Sequence, residues 1–197
     1  MIVLGLDTTG GDCACAIVDR GRILSAKSET LGRGHAERLA PMVQECLTEA
    51  GLSPADIDRI AVCSGPGSFT GLRVALAFAV GFALPHDIPV LGVSALEVYA
   101  SQIDPEGKDT FAIFTDVRRG ELSYQFFERG QPIAIPQTDK TDAVHARLSN
   151  HTVHELTGSI SVSVMAWRAI DLAPNDYPAA PLYSRPPDAK LPGGVTP

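Results

Sequence analysis

The sequence predicts an α/β fold in two lobes, and three observations carry that expectation. Strand-like and helix-like patterns alternate through the first hundred residues. The pattern then breaks at Asp104-Pro105-Glu106-Gly107, which places a lobe boundary within residues 101–108. A length of 197 residues suits one large domain or two lobes of roughly 100 residues each. The expected division is an N-terminal lobe over 1–100 and a smaller C-terminal lobe over 101–197.

The N-terminal elements are read in order. Residues 2–6 form a short apolar run ending at Asp7, followed by turn residues Thr8-Thr9-Gly10-Gly11-Asp12. Residues 13–18 and 23–29 complete a three-strand meander. A helix is expected over 35–50, because Leu39, Met42, Val43, Cys46, Leu47 and Ala50 recur at helical spacing. Pro41 either belongs to its first turn or kinks it, and Gly51 ends it. A strand at 60–63, a glycine-rich loop at 64–71, a helix over 72–84 and a strand at 89–93 follow. The second half reads as strands at 111–117 and 121–127, a turn at Arg129-Gly130 and a helix within 160–172 that carries Trp167. Seven prolines in the last 24 residues favour an extended tail.

Composition narrows the function classes. Hydrophobic residues make up 45% of the chain and charged residues 20%, ordinary values for a globular protein. The formal net charge of −7 argues against a chain that grips a polyanion by itself. Cys13, Cys15, Cys46 and Cys63 have no Cys/His pair at zinc spacing, so buried free thiols and a reducing compartment are expected. The longest apolar run, 74–84, falls short of the ~20 residues of a membrane span. The N-terminus shows no basic leader. A cytoplasmic protein without membrane contact is the resulting expectation.

Three segments could carry function. Asp7-Thr8-Thr9 at a strand end is either a hairpin turn or a place where hydroxyl and N–H groups hold a phosphate. Gly65-Pro66-Gly67-Ser68-Phe69-Thr70-Gly71 leads into a helix that Ser68 or Thr70 can cap. It lacks the Lys-Ser/Thr ending of a Walker loop, so as a phosphate motif it is weak. The helix itself carries Leu72, Ala75, Leu76, Ala79, Val80 and Ala83 on one side and Val74, Phe78, Gly81 and Phe82 on the other. A helix apolar all round is either a central core helix or keeps a face for another protein. Small residues at 71, 75, 79 and 83 would let a partner helix come close, and the stripe of the first helix could join the patch. No nucleophile triad or zinc motif is found, and His35, His86, His145, His151 and His154 are scattered.

Several of these segments resemble one family. Leu6-Asp7-Thr8-Thr9, the stretch from His35 to Met42, and Gly65-Pro66-Gly67-Ser68-Phe69-Thr70-Gly71-Leu72-Arg73-Val74 look like the TsaB (YeaZ) family. So do Gly92-Val93-Ser94-Ala95-Leu96-Glu97, Asp116-Val117-Arg118-Arg119-Gly120-Glu121-Leu122 and Pro181-Leu182-Tyr183-Ser184-Arg185-Pro186. The resemblance implies an actin-like, Hsp70-like two-lobed ATPase fold. It implies a non-catalytic subunit in making threonylcarbamoyladenosine beside the tRNA anticodon, with a TsaD-type paralogue as catalyst. That paralogue holds metal through a His-x-x-x-His motif, and Ala95 and Tyr99 fall at the matching positions here. Asp7, Thr8 and Thr9 then become a vestigial nucleotide loop with no cofactor or metal. The resemblance also implies pairing through the two N-terminal helices, with a TsaD-type paralogue or, for the chain alone, with itself. Leu39, Met42, Val43, Cys46, Leu72, Arg73, Ala75, Leu76, Ala79 and Val80 are the expected interface. A TsaE-type ATPase is the expected third partner, and tRNA is reached only through the complex. A small ATP-binding enzyme and a glycoprotease-like hydrolase are the alternatives.

Overall fold

The computed structural model describes residues 1–185. Strands β1 (Ile2–Asp7), β2 (Asp12–Asp19) and β3 (Arg22–Thr30) form the expected antiparallel meander. Strands β4 (Arg59–Gly65) and β5 (Val90–Ser94) add parallel to β1, giving a five-stranded sheet ordered β3-β2-β1-β4-β5. Side chains alternate across this sheet as strand geometry requires. Leu4, Leu6, Cys13, Cys15 and Ile17 face one side; Val3, Ala14, Ala16 and Val18 face the other.

Helices α1 (His35–Ala50) and α2 (Phe69–Ala83) cover the first side. Gly51 closes α1 at φ 68°, where its N–H reaches the Leu47 and Thr48 carbonyls. A glycine takes that left-handed angle without a Cβ penalty. Pro41 lies inside α1 beyond its first turn, on the exposed side. The Ser68 hydroxyl caps α2 by accepting from the Gly71 N–H at 3.3 Å. Together with the short turn that follows it, α2 gives an 18-residue stretch, Phe69–His86, long and apolar enough by composition alone to cross a membrane. Here its inner side packs against the sheet.

The second side is covered by α3 (Ala95–Ile103) and by α5 (Val162–Arg168). Helix α3 was not foreseen as a separate element. Helix α5 comes from the second half of the chain yet packs against β1 and β2. It lies so close that a Cβ on Gly5 would sit 2.6 Å from the Val162 carbonyl oxygen. A division at residue 100 therefore separates the two sheets but not their cores.

The second sheet holds β6 (Thr110–Asp116), β7 (Glu121–Glu128), β8 (Gln131–Pro132), β9 (Gln137–Lys140) and, beyond α4 (Thr141–Leu148), β10 (Val153–Glu155). Its order is β10-β6-β7-β8, with β9 also on β7. Phe111, Ile113 and Phe127 point from it into the core shared with α3 and α5, and Val144 and Leu148 of α4 cover its other face. After a short turn at Pro174–Asp176 the chain runs extended along the edge of the first sheet. Gly92 N–H donates to the Tyr177 carbonyl at 3.1 Å, and Leu182 N–H donates to the Ser64 carbonyl at 2.7 Å. The edge strand β5 is thereby kept from pairing with other chains. Part of the proline-rich tail, 186–197, lies outside the described residues.

Candidate functional site: an interlobe cleft and an outward helix face

The loops at the ends of both sheets meet around a cleft of about 1600 Å³. It is lined by residues 7–11, 32–37, 66–74, 115–119, 155–160 and 183–185, with Ala95. Asp7, Thr8 and Thr9 lie at its floor, and the Gly65–Gly71 corner forms one wall.

The floor uses its polar groups internally. Thr8 Oγ1 donates to the Gly71 carbonyl at 2.7 Å. The Thr9 N–H donates to Asp7 Oδ1 at 2.8 Å. Thr9 Oγ1 sits 3.4 Å from Cys63 Sγ, and the Ser68 N–H donates to the Thr9 carbonyl at 2.8 Å. The corner is pressed onto the floor, since a Cβ on Gly71 would stand 1.9 Å from the Thr8 carbonyl oxygen. The Thr8 hydroxyl and the Thr9 and Ser68 N–H groups are thus engaged by the chain itself. Asp7 is 2% exposed, and burial pushes its carboxyl above the usual carboxylate range against the opposing bond from Thr9.

The outer helix surface is the second feature, and here the sequence expectation needs correction. Leu39, Met42, Val43, Cys46, Leu72, Ala75, Leu76 and Ala79 are each 8% exposed or less. All but Leu72, which packs on Gly65, belong to the chain's own core against β1, β2 and β4, and apart from Leu39 at the base of a hollow they are closed to a partner. The small residues Gly71, Ala75, Ala79 and Ala83 likewise face inward and let α2 approach its own sheet. Of the ten expected interface residues, Arg73 and Val80 remain outside. The outward row is Phe69, Arg73, Ala77, Val80 and Leu84, flanked by half-buried Val74, Phe78 and Phe82. Val80 is 50% exposed and Leu84 is 75% exposed. A hollow of about 450 Å³ between the starts of α1 and α2 is lined by Ala36, Leu39, Phe69, Arg73, Val74 and Phe78, among others. The Arg73 guanidinium lies 3.8 Å over the Phe69 ring and donates to the Tyr183 hydroxyl at 3.1 Å. The tail therefore borders this face. Nothing in the sequence pattern alone linked Tyr183 to α2.

Elsewhere, Arg38 fastens α1 to β3 through Glu29 at 2.5–2.8 Å and also bonds Glu45 of its own helix at 2.8–3.0 Å. It holds both carboxyls below their usual range. The four cysteines are free and buried, with Cys15 and Cys46 Sγ atoms 3.0 Å apart. Among the described residues no three His, Cys, Asp or Glu side chains converge as a metal site.

Comparison with known proteins bears on both features. A family model described as TsaD, tRNA N6-adenosine threonylcarbamoyltransferase, matches residues 27–163. The Escherichia coli tRNA threonylcarbamoyladenosine biosynthesis protein TsaB is 35% identical over 162 residues, covering 82% of this chain and 68% of that protein. The chain belongs to this family, on its TsaB branch. An uncharacterized protein of Mycobacterium tuberculosis is 32% identical over 203 residues, covering 95% of this chain and 93% of the relative. Among solved structures, a Pseudomonas aeruginosa protein described as similar to peptidase YEAZ superposes with a TM-score of 0.74 at 26% identity. It covers 93% of this chain and 99% of its own. The chain therefore shares the fold of this YEAZ-like structure.

Proposed function

We propose that this chain is the non-catalytic scaffold subunit for threonylcarbamoyl transfer to the adenosine beside the tRNA anticodon. A TsaD-type paralogue supplies the chemistry, and the pair forms through the outer face of α2 and the rim of the adjoining hollow. The observation that carries the reading is the apolar outward row of α2 on a fold shared with the transferase family. Tyr183 covers only the Phe69–Arg73 end of that row, Val80 and Leu84 are left exposed among the described residues, and a soluble subunit hides such a strip against another protein. The resemblance adds Ala95 and Tyr99 at the positions of the paralogue's metal-binding histidines, and neither side chain ligates metal as imidazole does. The chain alone pairs with itself through the same face, and a TsaE-type ATPase joins the complex. The work takes place in the cytoplasm, where four unpaired thiols stay reduced.

The nucleotide-binding alternative is the weaker one, because the Thr8 hydroxyl and the Thr9 and Ser68 N–H groups are spent on bonds within the chain. Reconstitution tests the reading. A TsaD-type subunit, the ATPase, a threonylcarbamoyl-AMP source, ATP and tRNA are incubated with and without this chain. Modified adenosine that forms only in its presence, with no turnover by the chain alone, is the expected result. Equal modification without it would sink the proposal.

A further inference from the structure

The arginines of this acidic chain are not spread evenly. Five of its twelve, Arg33, Arg73, Arg118, Arg119 and Arg185, line the interlobe cleft. They arrive from four separate segments: the β3–α1 loop, the first turns of α2, the β6–β7 turn and the tail.

The β6–β7 turn is the most informative. Arg118 and Arg119 both adopt left-handed backbone angles, φ 68° and 59°, ahead of Gly120 at 71°. Val117 N–H donates to the Glu121 carbonyl, which leaves a three-residue turn, and such positive-φ positions favour Gly and Asn over arginine. The Asp116 carboxylate holds the turn by accepting the Arg118 N–H at 2.6 Å. Residues kept against local preference in a pinned turn are candidates for function, although Arg129 takes a similar angle, φ 51°, in a turn outside the cleft. Arg33 is displayed in a comparable way, between Gly32 at φ 65° and Gly34 at φ 86°. Among the described residues the side chains of Arg33 and Arg118 meet no carboxylate, whereas Arg38, Arg168 and Arg185 each do. His35 Nε2, at the cleft-side start of α1, is buried without a hydrogen-bond partner. No side chain caps that helix start.

We infer that the Arg33–Arg118 rim of the cleft is a contact surface for the phosphate backbone of RNA. The inference rests on the scaffold reading above, which brings tRNA to the complex. Guanidinium groups bind phosphate through two parallel hydrogen bonds, and local charge can do this on a chain of opposite net sign. A polymer fits the site better than a small phosphate ligand. The cleft, at about 1600 Å³, exceeds the roughly 300–1,000 Å³ of small-molecule pockets. The Thr8 hydroxyl and the Thr9 N–H on the floor are engaged, and the lining also carries Glu37, Asp116 and Glu155, so the positive charge open to a phosphate is that of Arg33 and Arg118 at the rim.

The test uses the reconstituted complex and a fluorescent, unmodified tRNA transcript, with anisotropy read from 50 to 200 mM KCl. The double variant Arg33→Gln/Arg118→Gln is compared with Arg33→Lys/Arg118→Lys. Loss of two backbone contacts lowers the slope of log Kd against log salt by about 1.4–1.8. At fixed salt the glutamine variant binds about tenfold more weakly, the usual strength of two exposed ion contacts. The lysine variant retains the wild-type slope. An unchanged slope in the glutamine variant overturns the inference. Displacement of the transcript by ATP or inorganic phosphate at matched phosphate concentration also overturns it, since the rim then takes free phosphate. Complex assembly is verified beforehand by size exclusion. If the wild-type chain assembles with no partner, the scaffold reading fails separately. The rim is then judged on the isolated chain with the same transcript, where the same slope change is required.

Discussion

Replacing Val80 and Leu84 together by glutamate separates the outer face of α2 from its inner one. Val80 is 50% exposed and Leu84 is 75% exposed, so neither is needed to fill the chain's own core. Covering the exposed halves of these side chains with a partner is worth about 3 kcal/mol per chain, taking ~2–2.5 kcal/mol for a fully buried Val or Leu. Losing that contribution weakens pairing about 100-fold, before the added penalty of desolvating two carboxylates. The fold should be indifferent, because substitutions at exposed positions change stability by about ±0.5 kcal/mol. Light scattering after size exclusion reads the oligomer, calorimetry with the TsaD-type subunit reads the affinity, and a thermal melt controls for folding. Ala79→Glu is the instructive contrast. Ala79 is fully buried against the sheet, so a carboxylate there unfolds the lobe instead of dissociating an intact one. If Val80→Glu/Leu84→Glu melts normally and still pairs with wild-type affinity, the outer face of α2 is not the interface.

Three further outcomes follow from single sites. Gly71→Ala forces a Cβ into the Thr8 carbonyl oxygen, 1.9 Å away, and should cost about 2 kcal/mol or more, a Tm fall of roughly 5 °C; an unchanged melt would show that the corner yields freely. Asp7→Asn keeps the acceptor for the Thr9 N–H and removes a buried carboxylate. With the folded pKa raised above 3.8, wild-type stability drops as pH climbs from 3.8 through the folded value. The variant should therefore melt higher at neutral pH and converge with wild type below pH 3.8. A lower neutral-pH melt contradicts the burial account. Arg168→Met strips Glu97 of its 2.9 Å partner in a setting where the two side chains are 12% and 10% exposed. It should cost about 3 kcal/mol, near 6–12 °C in Tm, and a Glu97→Gln second change should recover much of it.

The N-terminal lobe was legible because its signals are local. Apolar spacing and Gly51 gave α1 to the residue, and alternation along β1 and β2 matches the two sides of the sheet. What failed depends on contacts distant in sequence. Helix α3 follows β5 after one capping serine, so no turn cluster announced it. Helix α5 belongs to the first sheet through Gly5, a relation between residues some 160 apart that no window of sequence contains.

The misassigned face of α2 follows from the same limit. A stripe of Gly71, Ala75, Ala79 and Ala83 says that some backbone comes close, but not whose. Here the close neighbour is the chain's own β1–β2 loop, where the Thr8 carbonyl occupies the space a Cβ on Gly71 would need. Once the small residues are used inward, the bulkier Phe69, Val80 and Leu84 are left outside, where a free-standing monomer would ordinarily place polar groups. The helix that is apolar all round is thus accounted for by two different neighbours. One is the sheet beneath it, already in place. The other, on the proposed scaffold reading, is a partner protein above it, and the row of exposed side chains is what that partner would cover.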